Sequence, residues 1–446
     1  MFCSRVIYRR TDLLRAALAQ PRALSTATKY DVVIVGGGLV GNAAAVALAM
    51  QEKLEDKRIL VLDQATNAAK FEAEDPGFNL RVINLTVGNK KFLDKLGVWE
   101  KIVAMRNHSY DKIYCWEAHS NHTISFAADP MGYIVENNVI ECALTQVAEK
   151  LHNVEIRRGV KVSAVTLPLE QTTSPVTIGL ESGEELETDL LVGADGANSF
   201  VRSNLESPTL GWTYNQQGIV CTLESTSTEN DSIAYQRFLN TGPIALLPLG
   251  NGLFSLVWSC KDSIAAELMS LPEEDFIARV NNALQKDACV PGIVAAMENV
   301  SSQLGLLEEP PETPLFVAVD GKRAKFPLGF SNSSRYIGPR TVLLGDAAHR
   351  VHPLAGQGAN IGFRGVQYLC REIEQNSGRD LGDYRVLNSF ETKLQRHVFP
   401  MTCFIDGMNK MYTTTFDPIV AARSFGLGIV NKSPLLKNLF LDGARN

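Results

Sequence analysis

Over its first two hundred residues the chain alternates between short β-branched apolar runs and longer alanine-rich or amphipathic stretches. Residues 30–35 (YDVVIV) predict a strand, a glycine cluster follows, and an alanine-rich helix runs to about residue 51. A second strand is predicted at 58–63 (RILVLD). Strand–helix–strand order of this kind implies parallel pairing through a right-handed crossover. The alternation continues to about residue 203 and includes a buried strand at 189–192. From 212 to about 327 the texture changes to short, turn-separated strand-like runs at 218–223, 244–249 and 253–259. LGNG at 249–252 reads as a hairpin turn between the last two. A strand at 341–344 returns the chain to the first region, and from about Pro400 the pattern is helical, with apolar positions mixed among Lys410, Arg423, Lys432 and Lys437.

The apolar stretch 32–50 is long enough to suggest a membrane span. Four glycines behind a β-branched run suit a strand, a tight turn and a helix better than one continuous helix. At 446 residues, 45% hydrophobic and 21% charged, the chain has the composition of a globular protein with two packed regions. Its net charge of −6 argues against a nucleic-acid partner. The first 28 residues depart from that balance. Arg5, Arg9, Arg10, Arg15 and Arg22 face a single Asp12, and Leu13, Leu14, Ala17 and Leu18 fall on one helical face. This is the pattern of a mitochondrial transit peptide, the alternative being a disordered arm. Eight dispersed cysteines without a CxxC pair suit reduced thiols. Neither His119 with His122 nor His349 with His352 has the further ligands that a metal needs.

Three motifs carry chemistry. Gly36-x-Gly38-x-x-Gly41 lies between a strand and a helix, and Asp63 ends the next strand. The glycines suit a tight turn, close approach of a pyrophosphate and close helix packing, while Asp63 suits ribose hydroxyls. That combination points to a dinucleotide without separating FAD from NAD. Residues 345–362, GDAAHRVHPLAGQGANIG, follow a second strand. Asp346 there suits polyol hydroxyls, such as a ribityl chain, or a simple helix cap. The turn Gly356-Gln357-Gly358 opens a helix through Asn360 whose free N–H groups suit the negative charge of a reduced flavin. The third motif, residues 193–199 (GADGANS), places Asp195 and Gly196 at another strand end, with Arg202 available to a phosphate or to Asp195.

In this order and spacing the motifs resemble the class A flavoprotein aromatic hydroxylases of the 4-hydroxybenzoate hydroxylase type. Residues 132–140 (GYIVENNVI), 236–239 (QRFL), 242–249 (GPIALLPL), 255–259 (SLVWS) and 349–360 (HRVHPLAGQGAN) are similar to the ubiquinone-biosynthesis branch of that family. The resemblance runs from about residue 30 nearly to the C-terminus. It implies an α/β fold: a Rossmann-like FAD-binding domain (29–110, 131–205 and 336–398), an inserted β-sheet substrate domain (111–130 and 206–335) and a helical C-terminal segment (399–446). By position, Gly36, Gly38 and Gly41 would hold the FAD pyrophosphate, Asp63 the adenosine ribose, Arg81 and Asp195 the FAD chain and its surroundings, and Asp346 the ribityl chain. Pro353, Gly356, Gln357, Gly358 and Asn360 would line the isoalloxazine, with no acid–base residue required. Two features depart from the family pattern: Arg364 and Gly365 stand where an acid is usual, and Asn84 where small residues are usual.

The implied reaction is hydroxylation of ring carbon 5 of a polyprenylated 4-hydroxybenzoate-type precursor by molecular oxygen, through a flavin C4a-hydroperoxide. Ile244, Leu246, Leu247 and Leu249 would line a tunnel for the isoprenoid tail or else belong to the core. The resemblance favours a ferredoxin and its reductase as electron donor, with NADPH as the alternative. It places the protein peripherally on the matrix side of the mitochondrial inner membrane, among other coenzyme Q biosynthesis proteins. The C-terminal segment would dock on the membrane or on partners, or pack over the FAD domain. A flavoenzyme for another phenol and a flavin-stabilised scaffold are the competing readings.

Overall fold

The computed structural model describes residues 27–72, 77–169, 173–205, 207–286, 290 and 292–445. The segment read as a transit peptide lies outside these residues except for Ala27 and Thr28, and Thr28 already pairs with Leu186.

Two sheets organise the chain. In the first, Thr28–Val35 pairs in parallel with Ile59–Asp63 on one side and Glu185–Gly193 on the other. Val154–Arg158 and Thr341–Leu343 extend it in the same direction. Val32, Val33, Ile34, Leu60, Val61, Leu190 and Leu191 are all fully buried. Consecutive burial means that both faces are covered, which is why these strands read as unbroken apolar runs. The alanine-rich helix Leu39–Ala49 packs against Asn137–Ala148 and Gly358–Gln375.

The second sheet has nine strands in the order His349–Arg350, Phe316–Ser333, Thr209–Ser225, Leu253–Lys261, Gly242–Gly250, Ile233–Leu239, His108–Glu117, Thr123–Glu136 and Val82–Leu85. The hairpin at 249–252 is present: Gly250, Asn251 and Gly252 all adopt positive φ, which glycine and asparagine tolerate. The architecture is thus the α/β arrangement implied by the sequence, a nucleotide-binding-type sheet joined to a β-rich region and closed by C-terminal helices.

Three details differ from the boundaries read in the sequence. Val82–Leu85, placed with the first region, is hydrogen-bonded into the second sheet opposite Tyr133–Glu136. The sheet-rich segment also contains the helices Asp262–Ser270 and Glu273–Gln285, whose apolar stripes cover one face of the second sheet, and Gly292–Gln303, whose Val294 is buried against Val420 and Ala421. Finally, Tyr384–Thr413 is one 30-residue helix running through Pro400, so no break falls at residue 399. Pro400 forgoes one N–H bond, but the buried stripe Val398, Thr402, Ile405, Asn409 and Tyr412 continues across it.

The C-terminal helix Asp417–Lys432 packs on Gly292–Gln303 and on the strand Thr123–Glu136 of the second sheet. Its anchor is ionic. Arg423 lies 2.7 Å from Glu117, with both side chains at most 1% exposed. Ser120 and Ser424 donate to the other Glu117 oxygen, and Arg423 also donates to the carbonyls of Met411 and Thr414. Among the described residues no helix is long and apolar enough to cross a membrane. Removing one partner of such a pair strands a buried charge, so Arg423→Met is expected to lose about 3–5 kcal/mol of stability. Glu117→Leu combined with Arg423→Met should recover most of that loss, as read from chemical denaturation midpoints.

Candidate active site

The three motifs meet at the carboxyl edge of the first sheet. Gly36 N–H donates to Leu62 O (2.8 Å), Ala194 N–H to Val35 O (2.8 Å) and Leu344 N–H to Gly193 O (2.9 Å), so four strand ends are stitched side by side. Gly36 has φ +108, and a Cβ there would sit 2.3 Å from Ala194 O. A Cβ at Gly41 would fall 1.8 Å from Gly36 O, so the helix start lies against the turn. Gly38 differs: its Cβ would meet nothing within 4 Å. The first internal bond of this helix is Asn42 N–H to Gly38 O, which leaves the N–H groups of Leu39, Val40 and Gly41 without intrahelical acceptors. The Asp63 carboxylate lies over Gly37, 2.6 Å from where a Cβ would project, and accepts from Ala65 N–H (3.1 Å).

Around this turn the acidic positions take distinct roles. Asp195 Oδ2 accepts from Phe200 N–H (2.7 Å) and Val201 N–H (3.1 Å), capping a short helix, whereas its Oδ1 is buried without a protein partner. Arg202 does not pair with Asp195; it donates to Ala347 O (2.9 Å) and Ala197 O (2.6 Å), tying the second and third motifs together. The Asp346 side chain is solvent-accessible yet ringed by protein, as on the floor of a crevice. Partial desolvation raises its carboxyl above the ordinary value, and Arg350 opposes the shift. Arg81 is exposed; its carbonyl accepts from Asn137 N–H, and its side chain makes no ion pair among the described residues.

Behind Asp346 the chain turns at Pro353–Ala355, and Gly356 takes the left-handed conformation (φ +60). The helix Gly358–Gln375 begins its internal bonds only at Ile361 N–H to Gln357 O, so the N–H groups of Gly358, Ala359 and Asn360 point out of its end. A Cβ at Gly358 would meet nothing. The Asn360 side chain, by contrast, is 3% exposed and fully committed to the protein. Its Oδ1 accepts from Thr86 N–H and Asn89 Nδ2, and its Nδ2 donates to Asn84 O (2.7 Å) and Gly356 O (3.2 Å). Only its backbone is free to face a ligand. The two departures also find their places. Asn84 lies beside Gly132, where a Cβ would come 2.7 Å from its Oδ1. Gly365 fits between Leu344 and Leu394, and burial holds the neighbouring Arg364 below its ordinary value, with Arg371 adding to the shift.

One group escaped sequence reasoning. His352 is buried; its Nδ1 accepts from Leu354 N–H (3.0 Å), which leaves Nε2–H to donate to Gln216 Oε1 (3.3 Å). Its ring meets Tyr214 edge-on at 4.9 Å, and Tyr214 donates to Asp406 (3.0 Å) on the long C-terminal helix. Burial pushes His352 down to about 4, with Asp406 opposing, so the ring is neutral and shapes the turn before Gly356. Position beside the motif was the available signal, but Gln216, Tyr214 and Asp406 lie more than 50 residues away.

Both flanks of the second sheet reach this turn. His349–Arg350 pairs with Ser331–Asn332, and Gly356 abuts Asn84 on the opposite edge strand. The sheet therefore curls, and one face of its central strands looks inward. Ile244 and Leu246 face the other way, fully buried with Trp258, Phe276 and Val280. Leu247 and Leu249 lie in a separate cluster with Tyr110 and Phe126. Of the four candidate tunnel residues, only Leu247 keeps appreciable accessibility.

The FAD binding domain family matches residues 29–303 and 322–400 of the chain. The mitochondrial ubiquinone biosynthesis monooxygenase COQ6 of Xenopus tropicalis is 40% identical over 432 residues, covering 93% of each chain. The Homo sapiens protein of that name is 38% identical over 433 residues, covering 93% of this chain and 92% of its own. The chain belongs to this monooxygenase family. Like its members it is an FAD-dependent aromatic-ring monooxygenase. Among solved structures, p-nitrophenol 4-monooxygenase PnpA from Pseudomonas putida superposes with a TM-score of 0.67 at 18% identity, covering 94% of this chain and 99% of its own. PqsL, a probable FAD-dependent monooxygenase from Pseudomonas aeruginosa, gives 0.66 at 19% identity, covering 90% and 100%. At those identities the likeness shows the shared monooxygenase fold.

The residues fit FAD on the structure's own terms. An unpaired buried acceptor at Asp195, a wet enclosed carboxylate at Asp346, and glycines with open space at 38 and 358 surround two helix starts with free N–H groups. Two measurements follow. Gly38→Val should leave the stability of the FAD-free protein within about 1 kcal/mol of the parent's while abolishing retention of FAD on gel filtration. Gly36→Ala should destabilise the fold itself by about 1–3 kcal/mol, through its positive φ and the clash with Ala194. The second concerns pH. His352 holds its folded value near 4 against the ordinary 6.5, so its contribution is complete above about pH 6.5 and is lost as pH falls toward 4. His352→Asn keeps an acceptor for Leu354 N–H but cannot titrate. Its stability should therefore decline less steeply across that window, by up to roughly 3 kcal/mol in total, as followed by melting temperature against pH.

Proposed function

We propose that the chain hydroxylates ring carbon 5 of a polyprenylated 4-hydroxybenzoate-type precursor of ubiquinone, using molecular oxygen and FAD. The observation that carries this reading is the inward face of the curled sheet. It stands across from the turn Pro353–Gly358, and both sheet edges are fastened to the segment around that turn. The names of the relatives, which specify ubiquinone biosynthesis, support the choice of pathway.

The chemistry that FAD supplies when bound is reductive activation of oxygen to an electrophilic oxygen atom. The chain's own residues have the supporting tasks. Gly36, Gly38 and Gly41 admit the pyrophosphate to the N–H groups of Leu39–Ala49, and Asp63 takes the adenosine ribose. Arg81, Asp195 and Asp346 serve the chain between the two ring systems. Pro353, Gly356, Gln357 and Gly358 line the isoalloxazine. The free N–H groups of Gly358, Ala359 and Asn360 stabilise negative charge at that end of the helix. The apolar inward face excludes water and holds the phenol ring over the reacting atoms.

The remaining assignments rest on the family resemblance. Electrons come from a ferredoxin and its reductase, and the chain has no second GxGxxG that would suit a bound NADPH. The protein works on the matrix side of the mitochondrial inner membrane as a peripheral component beside other coenzyme Q biosynthesis proteins. Exposed Phe399, Phe416 and Leu435 on the C-terminal helices support such a contact.

Expression in cells that lack their own ubiquinone-ring hydroxylase tests the reading, with quinone lipids followed by mass spectrometry. The parent chain should restore ubiquinone, and Asp346→Ala should reduce the restored amount at least about tenfold. A flavin-loaded, mitochondrial parent protein that restores nothing would assign the site to another phenol.

A further inference from the structure

The inward face of the second sheet carries a polar side chain that the protein does not satisfy. Cross-strand register sets Gln236 opposite Ala245 on one neighbouring strand and opposite Cys115 on the other. Ala245 in turn stands opposite Val257. All four side chains are partly accessible, whereas the opposite face of the same strands, with Ile244, Leu246, Tyr235 and Trp258, is buried under helices. Small neighbours on both sides leave Gln236 at the floor of a pit. The Gln236 carboxamide has no hydrogen bond to any described residue, nor is it sealed from the cavity around it.

The pit is closed at both ends of its strand. Toward one end Phe238 stacks on Tyr412 of the long C-terminal helix, with ring centroids 3.9 Å apart and planes 20° off parallel. Beyond it lies the buried Glu117–Arg423 pair. Toward the other end Ala234, Leu247 and Phe126 form an apolar cluster joined by Leu441. Burial pushes the Cys115 thiol up to about 12 although its side chain stays accessible, as expected in an enclosed chamber. Gln236 is on the sixth of nine strands, across the curl from the turn that both sheet edges reach.

A carboxamide without a protein partner in an apolar wall is open to water, which a ligand of matching polarity can replace. We propose that Gln236 is the residue that recognises the hydroxyl-bearing head of the aromatic substrate, its carboxamide hydrogen-bonding the ring oxygen while the apolar wall takes the rest. This rests on the reading that the substrate is a phenol. Glutamine both donates and accepts, so it holds a phenol without demanding its ionisation. A site built to pair a hydroxyl also rejects the analogue that lacks it.

The test uses FAD-loaded full-length protein and two probes, 3-farnesyl-4-hydroxybenzoate and 3-farnesylbenzoate, which lacks the ring hydroxyl. Binding is read from the change in flavin absorbance, with no turnover required. The parent should prefer the hydroxylated probe by about tenfold, the worth of one well-made hydrogen bond. Gln236→Leu, of similar size, should bring that preference to within about twofold by weakening the hydroxylated probe alone. FAD content and melting temperature should not fall, because the parent carboxamide bonds nothing in the protein. Gln236→Met provides the same comparison if the leucine variant does not fold. Retained preference in the variant overturns the assignment, as does equal weakening of both probes with a lowered melting temperature, which marks a structural role. A parent that binds the two probes equally also overturns it. A parent that binds neither removes the phenolic-substrate reading itself, a separate failure.

Discussion

At the carboxyl edge of the first sheet the backbone occupies space that a side chain elsewhere would fill. Gly36 rests on the carbonyl of Ala194, and Gly41 rests on the carbonyl of Gly36. Four strand ends and one helix start therefore meet within hydrogen-bonding distance, and the free N–H groups of the helix start face a common crevice. All three motifs are hung from that junction. Gly345 and Gly362 both close on Val40 of the same helix, which brings the second motif into register with the first. Arg202 then crosses to the carbonyl of Ala347 and locks the third. An electrostatic cradle made of backbone dipoles requires this closeness, because the field of a helix end falls off within a turn.

The second sheet answers a different need. A ring to be attacked by an activated oxygen atom must be held dry and oriented, which calls for a wall more than for reactive side chains. On the proposed reading the curl provides that wall, since both edges of its nine strands are fastened to the segment around one short turn. His352 stiffens the turn from below with a neutral ring bonded at both nitrogens. Asn360 does the same from the helix side, joining Asn84, Thr86 and Asn89 to Gly356.

What was legible beforehand follows from range. The glycine turn, Asp63 and the hairpin at 249–252 depend on residues close in sequence, and their spacing alone dictated strand, turn and helix. The long parallel strands were equally plain, since burial on both faces leaves an unbroken apolar run. For Asn360 the sequence could not separate backbone from side chain: its N–H stays free at the helix start, whereas its carboxamide bonds residues some 275 positions earlier. Arg202 could not be told from a phosphate ligand until Ala347 was seen within reach. Ile244, Leu246, Leu247 and Leu249 could not be divided between tunnel and core, because nothing local says which face of their strand lies beneath the helices Asp262–Ser270 and Glu273–Gln285. The Glu117–Arg423 pair joins residues 306 apart and leaves no pattern at all.

The helix Tyr384–Thr413 packs at its beginning on Gly358–Gln375 and reaches with Tyr412 to the roof of the chamber. Thirty residues at 1.5 Å each make a rod of roughly 45 Å. Such a rod converts rotation into displacement, and one degree of tilt at its base moves its tip by about 0.8 Å. Flavin crevice and chamber roof thereby share one continuous element, with Leu394 packed on Gly365 near its start and Tyr412 stacked on Phe238 at its end.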